Sequence, residues 1–123
     1  MKNVEIYVTG SYSRDTDLGY WTYYIHYKGA VKKRTGCIPL NAQSSNRMIL
    51  VAMIEALKSF NEPCNLLIKT KTYIGFINKQ KSKNLDLIER FEREAVKAGH
   101  RYMIEEKSDF TIVKQWEDSY GKM

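Results

Sequence analysis

The chain has 123 residues, 43% of them apolar and 28% charged, enough for one domain with its own hydrophobic core and too few for two ordinary ones. No apolar run reaches the ~18 residues a membrane span requires, and Met1-Lys2-Asn3-Val4-Glu5 lacks the apolar stretch of a signal peptide, so a cytoplasmic protein without membrane contact is expected. The formal net charge of +6 is uneven: residues 1–83 carry thirteen Lys and Arg against five Asp and Glu, whereas residues 84–123 carry seven against nine.

Val4 to Val8 is a short β-rich run ending at Gly10-Ser11. After a polar loop, Tyr12 to Leu18, a second run from Gly19 to Tyr27 alternates with period two: Trp21, Tyr23, Ile25 and Tyr27 share one face, and Thr22, Tyr24 and His26 the other. Lys28-Gly29 is a hairpin signal, and Ala30 to Leu40 reads as the returning antiparallel strand, with charges that suit a sheet edge. From Ser45, a candidate N-cap, to Phe60 the chain is apolar around most of a helical circumference, which predicts a helix covered on several sides. Pro63 breaks that period. Asn65 to Thr72, with Leu66, Leu67 and Ile68 in succession, then predicts a strand buried on both faces. Tyr73 to Asn78 suits a short helical piece ahead of a basic connector through Lys83. Asn84 to Ala98 predicts an amphipathic helix with Leu87, Ile88, Phe91, Ala95 and Ala98 inward and Gly99 as its stop. His100 to Glu106 is a final strand. Ser108, a candidate cap, opens a last helix to about Tyr120, with Ile112, Val113, Trp116 and Tyr120 at helical spacing. Three hairpin-linked strands pair antiparallel, and two later strands, each preceded by a helix, can join in parallel; the sum is an α/β fold with a mixed five-stranded sheet flanked by helices.

Cys37 and Cys64 have neither CxxC nor Cys/His ligand spacing, and His26 and His100 lie away from both in sequence. A zinc site is not expected, and both thiols are read as reduced core residues. The basic excess falls in two clusters, Lys28, Lys32, Lys33 and Arg34, then Lys69, Lys71, Lys79, Lys81 and Lys83. Gathered on one face they would form a footprint for nucleic acid; scattered, they would serve solubility alone.

The element order resembles the type 1 ribonuclease H family, and specific residues carry the likeness. Val4-Glu5-Ile6-Tyr7-Val8-Thr9-Gly10-Ser11 resembles the family's opening strand, which ends Thr-Asp-Gly-Ser, and Asn46-Arg47-Met48-Ile49-Leu50 resembles its Asn-Arg-Met-Glu-Leu helix start. Glu55-Ala56-Leu57 and Glu62-Pro63-Cys64 stand at the family's distances from that motif, and Asn84-Leu85-Asp86-Leu87 resembles the Asn-x-Asp-Leu that opens a later family helix. The likeness implies one ribonuclease H-like domain over residues 1–123. The family hydrolyses the RNA strand of RNA/DNA hybrids with four carboxylates that hold two Mg²⁺ ions. Here those positions are Thr9, Ile49, Lys71 and Asp109, with Thr70 the alternative to Lys71 if a one-residue deletion is placed earlier. Three of four carboxylates are therefore missing, no catalytic residue is expected, and no cofactor is expected unless the family's activity and its Mg²⁺ are retained.

Three readings follow. The favoured one is a catalytically silent ribonuclease H-like domain that binds an RNA/DNA hybrid or duplex through a basic face, with Asn46, Lys71, Lys32, Lys33, Arg34, Lys79, Lys81 and Lys83 as the contacts. Asn46 is included because it matches a family residue near the hybrid's minor groove. The second is a protein-interaction or homodimer module, motivated by Trp21, Tyr23, Tyr24, Tyr27, Trp116 and Tyr120, residue types enriched at interfaces. The third is a hybrid-specific nuclease with a displaced metal site built from acids such as Asp15, Asp17, Glu105 and Glu106.

Overall fold

The structure is a computed structural model that describes residues 1–39, 45–71, 83–107 and 109–121, with the side chains of residues 119–121 excepted. Along the chain run β1 (Lys2–Ser13), β2 (Leu18–Tyr27), β3 (Ala30–Pro39), α1 (Ser45–Leu57), β4 (Cys64–Thr70), α2 (Leu85–Lys97), β5 (Arg101–Glu106) and α3 (Thr111–Gly121). The helical piece expected at Tyr73 to Asn78 lies outside the described residues, as do Leu40, Lys79, Lys81 and Ser108.

The sheet has the order β3-β2-β1-β4-β5. β1 pairs antiparallel with β2, β2 antiparallel with β3, and β4 lies parallel between β1 and β5. This is the mixed five-stranded sheet read from the sequence, with β3 at an edge as its charges suggested. The β2–β3 turn uses Lys28 at φ 49° and Gly29 at φ 81°, the pair of left-handed residues that a tight two-residue hairpin needs.

One boundary differs. The segment expected to be a loop from Tyr12 continues the β1–β2 ladder through Ser11↔Tyr20, Tyr12↔Gly19 and Ser13↔Leu18. The turn narrows to residues 14–17, and the Tyr12 hydroxyl donates to Asp17 Oδ1 at 2.7 Å.

Side chains on β1 alternate between two cores. Val4, Ile6 and Val8 belong to the larger one, with Leu50, Met53 and Ala56 of α1, Ile68 of β4 and Ile88 and Phe91 of α2. α1 packs on β1, β2 and α2, which explains why so much of its circumference is apolar. Each fully buried aliphatic or aromatic side chain here contributes about 1.5–3 kcal/mol of transfer free energy. The smaller core lies on the opposite face, where Tyr7 and Tyr24 meet Phe110 and Val113, and Trp116 packs alongside. The Tyr7 ring stands edge-on to both Phe110 and Trp116, with centroids 5.2 and 5.3 Å apart. The stripe predicted for α2 is buried except at its end, for Ala98 is the exposed C-cap and Gly99 follows at φ 78°.

Both cysteines are free thiols. Cys64 is buried, as expected, but Cys37 is exposed on the edge strand. Distant in sequence, His100 and Cys64 meet in space through the backbone: the Cys64 N–H donates to His100 Nδ1 at 3.0 Å.

Close approach of α1 to β1 depends on Gly10. A Cβ there would stand 2.6 Å from both Ile49 N and Ser45 O and 2.7 Å from Met48 Cβ, backbone neighbours that cannot swing aside. Gly10→Ala should therefore lower the unfolding free energy by about 1–3 kcal/mol, read as a shift of the urea midpoint. An unchanged midpoint would show that α1 can move away from the strand at no cost.

Candidate nucleic-acid interface

Of the positions expected to correspond to the family's carboxylates, Thr9 on β1 and Lys71 just after β4 lie on the same side of the sheet. Glu5, Tyr7 and Thr9 share the face that α3 covers. β4 runs parallel to β1 with Tyr7↔Lys69 as the last partners, and Lys71 follows directly after the strand ends at Thr70. Lys71 then points to the same side, with Nζ 5.2 Å from the centroid of the Phe110 ring. Thr70 is 1% exposed and belongs to the opposite face. Of the two alignments left open above, the one with Lys71 at the family's third position is the one that faces the site.

Ile49 takes the other route. It is 5% exposed and packed into the larger core beneath α1. Asp109 lies two residues before α3: its Oδ1 accepts the Thr111 N–H at 2.9 Å and a hydrogen bond from the Thr111 hydroxyl. Those bonds, the hydroxyl's first, hold its carboxyl below the usual carboxylate range. The segment is tied to the sheet by the Lys107 N–H, which donates to Thr70 O at 2.7 Å.

A pair of Mg²⁺ ions needs several anionic oxygens. A hydroxyl, an alkyl group, an ammonium and one carboxylate do not fit that need. Among the described residues, no three His, Cys, Asp or Glu side chains gather closely enough to hold a metal ion. The acids proposed for a displaced site are spread out, Asp15 and Asp17 in the β1–β2 turn and Glu105 and Glu106 at the exposed end of β5.

Just below the site lies a polar group that sequence reading placed only in the basic footprint. Lys69, 8% exposed, donates to Glu5 Oε2 at 2.6 Å and to the Tyr7 hydroxyl at 3.2 Å, and Glu5 Oε1 meets His26 Nδ1 at 3.0 Å. The Lys69 hydrogen bond holds the Glu5 carboxyl below its ordinary value. Burial works to lower the Lys69 pKa, but its bonds to Glu5 and Tyr7 outweigh that and raise it. Lys69 is thus committed inside the protein.

The Lys32, Lys33 and Arg34 cluster is split by strand alternation. Lys33 faces α3, where Nζ lies 2.6 Å from Glu117 Oε1, and the Tyr24 hydroxyl donates to the same carboxylate. Lys32 and Arg34 face the α1 side. Lys83 is exposed ahead of α2, and Asn46 stands in the first turn of α1. The basic residues therefore do not form one footprint among the described residues; of them, Lys71 is the one at the site.

The two family-like motifs also meet. Arg47 donates twice to Asp86, at 3.0 and 2.9 Å, and reaches Asn84 Oδ1 at 3.4 Å, so the starts of α1 and α2 are pinned together. The guanidinium holds the Asp86 carboxyl low.

These features match one known family. The RNase H family model matches residues 1–108. The chain belongs to the ribonuclease H family. Ribonuclease H of Campylobacter jejuni (strain 81-176) is 35% identical over 99 residues, covering 71% of this chain and 66% of the relative. Ribonuclease H of Caldicellulosiruptor saccharolyticus is 40% identical over 70 residues, covering 57% of this chain and 47% of that protein. The chain thus spans about two-thirds or less of the length of these relatives. Among solved structures, the N-terminal RNase H domain of a Mycobacterium tuberculosis protein, fused to maltose-binding protein, superposes with a TM-score of 0.68 at 11% identity, covering 91% of this chain and 88% of that one. That likeness shows the ribonuclease H fold.

Removing the ammonium of the Glu5 pair tests the electrostatics. Lys69→Met should cost about 2 kcal/mol, less than for a fully enclosed pair because the Glu5 side chain is 37% exposed. With its pKa depressed in the fold, Glu5 contributes stability that is present above about pH 4.3 and lost as pH falls through the folded pKa. The difference between parent and variant should therefore shrink on acidification, as followed by urea unfolding from pH 7 to pH 3. A difference independent of pH would sink this account.

Proposed function

We propose that this ribonuclease H-family domain binds RNA/DNA hybrid or duplex nucleic acid and does not hydrolyse it. The observation that carries the reading is Lys71, whose ammonium stands over Phe110 on the side of the sheet shared with Thr9, where the family's carboxylates are expected. A lysine ammonium repels each unit of metal charge 4 Å away by about 4 kcal/mol at an effective dielectric of 20. The same ammonium attracts a phosphate, and lysine binds phosphates as a point charge. Asn46, at the start of α1, matches a family residue near the hybrid's minor groove, and the net charge of +6 supplies long-range attraction.

The interaction-module reading has less support. Tyr23 and Tyr24 are 2% and 4% exposed, and Tyr27 and Trp116 pack against the two cores, so these four aromatics are engaged within the chain, while Trp21 packs against the larger core and keeps part of its surface exposed. The name shared by the relatives, ribonuclease H, is compatible with a surviving nuclease, and the decisive experiment addresses it directly. A labelled RNA/DNA hybrid incubated with Mg²⁺ or Mn²⁺ should stay intact while being retained by the protein. Retention should weaken steeply with salt, and Lys71→Glu should weaken it about tenfold, a change of about 1.4 kcal/mol. Cleavage that disappears in Asp109→Asn would overturn silence. Salt-insensitive or undetectable binding at low ionic strength would overturn the binding.

A further inference from the structure

We propose that the groove between α1 and β3 seats a single-stranded nucleic-acid segment, with a base against Trp21 and phosphates on Lys32, Arg34 and Lys58. This rests on the nucleic-acid reading above and extends it to a second contact away from the Thr9–Lys71 site.

The groove arises from the way the sheet outruns its helix. α1 packs across β1 and β2, while β3 lies one strand further out. Antiparallel pairing sets Trp21 beside Gly36, Tyr23 beside Arg34 and Ile25 beside Lys32, and partners across a ladder share a face. The result is a groove of about 210 Å³ with Trp21 and Tyr23 as its floor, Lys32 and Arg34 as one wall, and Glu55, Lys58 and Ser59 as the other.

Its floor is rigid. The Trp21 and Tyr23 rings are parallel to within 8°, with centroids 6.1 Å apart. Trp21 lies so close over Gly36 that a Cβ at that position would collide with the indole. The Tyr23 hydroxyl is hydrogen-bonded to Ser59 Oγ at 2.7 Å, which ties the floor to the chain leaving α1. A ring held flat before binding loses little freedom when a base stacks on it.

Its walls are cationic and available. Lys32 and Arg34 are exposed and make no ion pair among the described residues, whereas Lys33 between them is taken by Glu117 on the opposite face. Lys58 reaches Glu55 Oε1 at 2.8 Å, an exposed i,i+3 pair that contributes little and yields readily to a phosphate. Flat aromatic surface flanked by cations is the arrangement that holds single strands: phosphates follow the charge, and an unstacked base covers the ring. A duplex keeps its base faces stacked inside, so its bases cannot lie on Trp21. The Lys58 wall adjoins the C-terminal end of α1 at Leu57, about 17 Å from Asn46 at 1.5 Å per residue, so the two contacts can be altered separately.

The test uses the whole protein with a fluorescein-labelled oligothymidylate, followed by anisotropy at low salt and by quenching of tryptophan emission. Binding is expected, weakened about tenfold by Trp21→Leu and restored towards the parent by Trp21→Tyr. Lys32→Glu with Arg34→Glu should abolish it. Melting temperatures of the charge variants should stay near the parent's. The inference falls if oligothymidylate does not bind, if the Lys32 and Arg34 changes leave affinity intact, or if polyglutamate of matched charge competes as well as the oligonucleotide, which would mean charge without stacking. Should hybrid binding still respond to Lys71→Glu in those cases, only this groove assignment is lost; if hybrid binding is absent too, the functional reading falls with it.

Discussion

Successive side chains on β1 leave opposite faces of the sheet, and both cores are built on that alternation. Val4, Ile6 and Val8 go under α1, while Glu5, Tyr7 and Thr9 go toward α3. A slip of one residue would place Glu5 and Thr9 against Leu50 and Met53 and turn Ile6 toward Trp116, which the burial of charge forbids. The same constraint fixes β4, because Ile6↔Ile68 and Tyr7↔Lys69 are parallel partners. Lys71 therefore faces the site as a consequence of where Ile68 must be buried. The glycine at position 10 completes the geometry by letting α1 begin directly against the strand.

Much of this architecture was legible because its elements carry a period. The alternation of β2, the nearly all-round apolar character of α1 and the stripe of α2 each report burial through side chains, and burial is what periodicity reads. The extension of the β1–β2 hairpin was not legible. Ser11, Tyr12 and Ser13 are polar or exposed, and the ladder that keeps them in the sheet is made of backbone hydrogen bonds, which leave no mark on residue type. Ala98 and Cys37 failed for a related reason: an apolar residue type does not reveal that the element has ended or that the side chain is left exposed.

At the site, the commitment of charged groups was not legible. That positions 9, 49 and 71 correspond to family carboxylates is an expectation from the order of motifs. That Lys69 belongs to Glu5 and Tyr7 could not be seen there, since the three come together only when β1 and β4 pair across some sixty residues of chain. Glu117 was equally hidden, standing over Lys33 from a helix near the other end of the sequence. Lys33, assigned to an external partner from its type alone, and Lys69, counted only in the basic clusters, thus have internal partners. The separation of Lys33 from Lys32 and Arg34 was available in principle, because period two sends neighbours to opposite faces.

Lys69 and Lys71 show why charge must be judged with its surroundings. They lie on one face, two residues or about 7 Å apart along β4. The first is neutralised by Glu5; the second lies over the Phe110 ring and makes no ion pair among the described residues. A family-type carboxylate at position 71 would repel a phosphate unless metal ions stood between them. A lysine there changes the local charge by two units and attracts the phosphate with no ion present. Under the proposed function, then, losing the metals and keeping the nucleic acid are not separate adaptations: one substitution reverses the sign of the surface, which removes the means of activating water and supplies a substitute for the metals' electrostatic attraction.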